Sequence, residues 1–123
     1  MRVVRIACVA LLFGAAGCGP SQAQLDEARS SVQEGLEVWK KGGKPADLTA
    51  LARPLEFHEG LWKSGATLLS YEMGQATYHS RDKVIRCEAR LTVRERSGRQ
   101  KTENVAYDVK LESPVKIVNN PMP

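Results

Sequence analysis

Residues 85–94 alternate strictly between apolar and polar side chains, and no other feature constrains the fold of this 123-residue chain so tightly. Ile85, Cys87, Ala89, Leu91 and Val93 are interleaved with Arg86, Glu88, Arg90, Thr92 and Arg94. Successive side chains of a strand point to opposite faces, so this stretch predicts a strand with one dry face and one wet face. A sheet of that kind is antiparallel by preference, and its dry face needs an apolar cover. Ser97-Gly98 predicts a hairpin turn, and Val105, Tyr107, Val109 and Leu111 predict the returning strand. Upstream, residues 66–73 predict a strand with Leu69, Tyr71 and Met73 on one face, whereas residues 74–83 are polar and read as a loop or a frayed strand end. Val115, Lys116, Ile117 and Val118 predict a short last strand, which the preceding Pro114 assigns to a sheet edge. Residues 119–123 read as a polar tail.

The cover is found nearer the N-terminus. Ser21-Gln22-Ala23-Gln24 fits a capping box, and Leu25, Ala28, Val32, Leu36 and Trp39 then recur at helical spacing. Gly42-Gly43 ends that helix. The same periodicity suits a coiled-coil seam, but it lasts only about two heptads, so packing against its own domain is the expected use. Lys44 to Asp47 reads as a turn, and Leu48 and Leu51 suggest a second short helix ended by Pro54. Residues 55–65 show no clean period; they read as a connection with one helical turn, with Phe57, Leu61 and Trp62 tucked against the core. Aromatics make up only 6% of the chain, so the core is expected to be mainly aliphatic. The sum is an α+β domain over residues 24–118, in which an N-terminal helix and a short helical connection pack on three or four antiparallel strands.

Residues 1–17 have the three parts of an export signal. Arg2 and Arg5 are followed by an apolar run over residues 6–13 and then by Gly14-Ala15-Ala16-Gly17. The run is too short to span a bilayer, which takes about 20 apolar residues. Cys18 follows directly, and a small-small-Cys ending resembles the bacterial lipobox, whose cysteine is acylated and becomes the first mature residue. Ala15 departs from that pattern, since Leu is the favoured residue three positions before the cysteine. The resemblance implies a lipidated Cys18, a tether over residues 18–23 and a membrane-anchored protein facing the periplasm or outer envelope. An ordinary signal cleaved near Ala16 or Gly17, leaving a free thiol, is the other reading. Without the signal, the chain carries 16 Lys and Arg against 14 Asp and Glu. That balance, with little aromatic interleaving, argues against nucleic acid as a partner.

The order of helix, helical connection, antiparallel meander and closing strand resembles the cystatin-like and NTF2-like folds. Residues 54–65, with Leu68 to Glu72, Val105 to Val109 and Ser113-Pro114, are similar to small uncharacterised lipoproteins of planctomycetes. These resemblances imply a compartment and a fold, and no activity.

Chemistry-bearing residues are sparse. With Cys8 in the signal and Cys18 acylated, Cys87 is the remaining thiol; on the apolar face of its strand it reads as a small core hydrophobe, with a Cys18–Cys87 disulfide as the alternative. His58-Glu59 lacks the spacing of a metal site, and His79 with Asp82 is an acid/base pair only in appearance. Gly42-Gly43-Lys44 lacks the spacing of a phosphate loop. Some NTF2-like enzymes join a carboxylate to tyrosines in an internal pocket. Here Tyr71 and Tyr107 have Glu72 and Asp108 as chain neighbours, which a strand turns to its opposite face. No cofactor and no catalytic residue is therefore expected. Arg86, Arg90 and Arg94 share the wet face of one strand; they read as a solvated outer face whose charges discourage edge pairing, and they form the candidate face toward an anionic surface or another envelope protein. The expected role is a non-catalytic structural or interaction module; a small-ligand-binding cone is the alternative, and an enzyme comes third.

Overall fold

The computed structural model describes residues 19–120 and places the alternating segment inside a five-stranded sheet. Helix α1 (Gln22–Lys40) comes first, followed by a 3₁₀ segment (Pro45–Ala50), β1 (Leu55–His58) and the single-turn helix α2 (Gly60–Lys63). The strands β2 (Thr67–His79), β3 (Val84–Arg94), β4 (Gln100–Lys110) and β5 (Val115–Asn120) complete the chain. Their order in the sheet is β1-β5-β4-β3-β2, with β1 parallel to β5 and every other pair antiparallel.

The class is α+β as expected, but the sheet is mixed and has five strands. The extra strand is β1, within the stretch read as a connection. Leu55 and Phe57 point inward and Glu56 and His58 outward, which is period two over only four residues, too few to signal from sequence. Its partner lies about sixty residues downstream, where Leu55 to His58 pair in register with Val115 to Val118. This pairing moves β5 from the expected edge to an interior position. Pro114 is tolerated because it precedes the strand; Val115 donates its N–H to the Pro54 carbonyl at 3.2 Å. β5 also runs through Asn120, so Asn119 and Asn120 belong to the sheet and not to a tail.

β2 continues to His79 through residues that read as a loop or a frayed strand end. Its register against β3 shifts between Met73 and Ala76, a bulge that interrupts the alternation on which a sequence reading depends. Arg29 of α1 donates to the Gly74 carbonyl at 2.9 Å, so the bulge is tied to the helix.

α1 lies across the dry face. Its capping box is formed as expected, the Ser21 side chain accepting from the Gln24 N–H and the Gln24 side chain from the Ser21 N–H. Ala28, Val32, Leu36 and Trp39 are buried against Leu68, Cys87, Leu91, Val93, Tyr107 and Ile117. At the far end the Gly43 N–H reaches the Val38 carbonyl and the Gly42 N–H the Trp39 carbonyl, a Schellman closure. Gly42, at φ 89°, supplies the left-handed residue that this closure requires.

The core is aliphatic at its margins, with an aromatic row through its centre. Trp39 stacks on Trp62 at 5.4 Å, Phe57 meets Trp62 edge-on at 5.9 Å, and Phe57 meets Tyr107 edge-on at 5.1 Å. Gly35 makes room for the row, since a Cβ there would sit 2.3 Å from the Phe57 ring. Overpacking costs about 1–3 kcal/mol, whereas replacing a helical glycine by alanine gains up to about 1 kcal/mol in propensity. Gly35→Ala is therefore expected to lower the urea-unfolding free energy by about 1 kcal/mol, the opposite sign to propensity alone.

Candidate functional site

The most concentrated polar chemistry inside the fold is at Glu59, which the sequence does not single out. Glu59 follows β1 and caps α2, its Oε2 accepting the Leu61 N–H at 2.8 Å. Its Oε1 accepts the Tyr107 hydroxyl of β4 and the side-chain amide of Asn119 of β5, both at 2.7 Å. The carboxylate is only 1% exposed and Tyr107 is not exposed at all. Burial, followed by the neighbouring Glu59 charge, pushes the Tyr107 hydroxyl well above the ordinary tyrosine range. An acid bonded to a tyrosine is a pairing that proton-transfer sites also use. Here the phenol is sealed, keeps its proton and donates it in a hydrogen bond to Glu59. An open groove of about 560 Å³ passes Glu59, Leu61, Glu103 and Asn119 without exposing the pair. The arrangement ties β1, β4, β5 and α2 together through one side chain.

The only signal for Glu59 in the sequence is a carboxylate just ahead of Gly60-Leu61-Trp62, a capping position that accounts for the Leu61 donor, whereas Tyr107 and Asn119 come from far along the chain. A second tyrosine–acid pair follows the same rule. Tyr71 donates to Glu37 of α1 and not to its neighbour Glu72, and burial together with that bond pushes it up to about 12. Lys40 lies 5.9 Å from the centre of the same ring. Tyr107 and Asp108 divide across the sheet, as alternation requires.

The three arginines of the candidate face do lie on one side of β3, yet they are not equally free. Arg86 bonds Asp108 at 2.7 and 3.2 Å, and Asp82 lies 3.7 Å away. His79 Nδ1 is 3.3 Å from the same guanidinium, so His79 meets Arg86 and Asp82 is spent there as well. Arg90 stands in register with Glu72 and Asn104, and Arg94 with Thr67 and Gln100. Of the three, Arg86 is the one held in ion pairs with carboxylates.

Cys87 is a free, fully buried thiol, and burial pushes it up to about 12. His58 lies 3.8 Å from Glu56 and 3.4 Å from Lys63. Among the described residues no three His, Cys, Asp or Glu side chains gather as a metal site needs, and no helix is long and apolar enough to cross a membrane. Cys18 and residues 1–17 lie outside the described residues. Comparisons with protein-family models, curated proteins and solved structures return no match.

Two measurements test these assignments. Removing the Glu59 carboxylate leaves a buried hydroxyl and an amide without their acceptor, a loss of about 2–4 kcal/mol. Glu59→Ala is expected to lose that much in urea unfolding, and Glu59→Gln, which keeps an acceptor oxygen, clearly less. The second concerns pH. Cys87 and Tyr71 keep their protons in the fold to about 12, whereas the unfolded chain releases them near 9.0 and 10.0. The stability they contribute is complete below pH 9 and is lost as pH rises toward 12. The urea midpoint is expected to be flat from pH 7 to 8.5 and to fall steadily above pH 9.

Proposed function

We propose that this chain is an exported envelope protein, acylated at Cys18, whose domain is a non-catalytic interaction module built on a cystatin-like or NTF2-like frame. The frame is supported by the element order, in which a long helix covers a meander closed by a last strand. The observation that carries the functional reading is the filled space between helix and sheet. Leu36, Phe57, Trp62, Tyr107 and Ile117 occupy the volume in which a ligand-holding cone keeps its pocket. The polar groups that catalysis would recruit are spent on internal bonds, namely Glu59 on three donors and Tyr71 on Glu37. A solid domain acts through its surface, and that favours docking over binding a small molecule inside.

Export and anchoring rest on the sequence. Arg2 and Arg5, the apolar run over residues 6–13 and the small residues before Cys18 support them. Several acyl chains hold a protein to a bilayer stably, because each buried methylene contributes about 0.8 kcal/mol. α1 begins at Gln22, so only a short tether would separate the domain from its anchor.

Intact-mass measurement on protein from its native envelope tests the reading. The expected species begins at Cys18 and carries acyl mass, and it fractionates with membranes. Cys18→Ala is expected to abolish both the acyl mass and the membrane association. A chain without acyl mass would remove the anchor and leave a secreted binding protein as the account.

A further inference from the structure

Three cations surround a groove at the end of α1, away from the arginine face of β3. The groove is open, about 540 Å³ in volume, and is lined by Trp39, Gly42 to Pro45, Trp62, Lys63 and Gly65 to Thr67. Its floor is set by two indole hydrogen bonds. Trp39 Nε1–H donates to the Ala66 carbonyl at 2.9 Å, and Trp62 Nε1–H donates to the Gly43 carbonyl at 3.0 Å. Lys44 and Lys63 stand on the rim. The Arg96 side chain lies across Gly65, its Cδ 2.6 Å from where a Cβ would be. Among the described residues none of these three cations enters an ion pair, in contrast to Arg86 and Lys101. Asp47, the carboxylate beside the rim, accepts the Lys44 backbone N–H at 2.8 Å.

We infer that this groove is the docking site for an acidic polypeptide segment of another envelope protein. The inference rests on the interaction-module reading and names the surface and its partner. Charge complementarity carries it, because three cations outside any ion pair, set around a largely apolar groove, favour carboxylates held beside an apolar side chain. The tryptophans are 2% and 6% exposed and offer no open ring face for a sugar to stack on, which disfavours a glycan. Position disfavours lipid headgroups of the anchoring membrane. The chain enters α1 beside Tyr78, against which Gly19 packs, and the groove is at the opposite end of the 19-residue helix. At 1.5 Å per residue that separation is about 28 Å.

The protein supplies its own reporter, because Trp39 and Trp62 are the only tryptophans in the chain and both line the groove. Poly-L-glutamate titrated at low ionic strength into the full protein, purified in neutral detergent, is expected to change the tryptophan emission saturably. The double variant Lys44→Glu/Lys63→Glu is expected to weaken that binding about tenfold. Arg90→Glu/Lys116→Glu alters net charge equally on the outer sheet face and is expected to weaken it less than about twofold. Thermal unfolding checks that each variant folds, and Lys63→Gln replaces the double variant if that one does not, with an expected loss of about threefold. Absence of an emission change, or equal weakening by the two double variants, would overturn the inference. Tighter binding of dextran sulfate or of anionic-lipid vesicles would overturn it as well, in favour of a glycan or a membrane. An acylated, membrane-bound protein whose tryptophans ignore polyglutamate would leave the interaction module standing and remove only the groove.

Discussion

A carboxylate shut away from water has to find donors inside the protein, and Glu59 finds three on three different elements. Each donor fixes something that the backbone alone leaves loose. The Leu61 N–H starts the single turn of α2, which brings Trp62 onto Trp39. Tyr107 and Asn119 hold β4 and β5 in the register that lets β1 pair beside them. β1 has only four residues, and a parallel pair so short gains little from its own ladder. The buried clamp at its end keeps that strand in place, and with it Leu55 and Phe57 in the core.

The aromatic row depends on this arrangement. Trp39 comes from the helix, Phe57 from β1, Trp62 from α2 and Tyr107 from β4, so four elements meet through edge-to-face and stacked rings. Such contacts add to the area they bury, and they require defined ring positions. Gly35 is the counterpart in the helix, where a missing side chain admits Phe57. The space between helix and sheet is consequently filled by side chains.

The outside is not uniform. On the outer sheet face, Arg86 is held by Asp108 with Asp82 close by, while Arg90 stands in register with Glu72. One sheet edge is short, because β1 has four residues; the other is long but is broken by the bulge at Gly74, whose carbonyl Arg29 covers. Both devices discourage strand addition from another chain. The end of the molecule where α1 stops differs, with Lys44, Lys63 and Arg96 around an apolar groove.

Where a pattern is local, the sequence carries it. The alternation of Ile85 to Arg94, the Ser21–Gln24 capping box, the helical stripe from Ala28 to Trp39, the Gly42-Gly43 stop and the buried Cys87 were all legible, because each follows from a period or from chain neighbours. The α+β class followed from them. Tertiary structure alone decided the rest. β1 needed β5 as its partner, the interior place of β5 followed from that pairing, and the Gly74 bulge hid the continuation of β2. Glu59 became a hub, and Arg86 lost its free charge, through partners 60 and 22 residues away along the chain. A one-dimensional pattern reports which face a residue presents. It does not report which residue from elsewhere in the chain will meet that face, because the choice among distant partners is made by packing all elements at once.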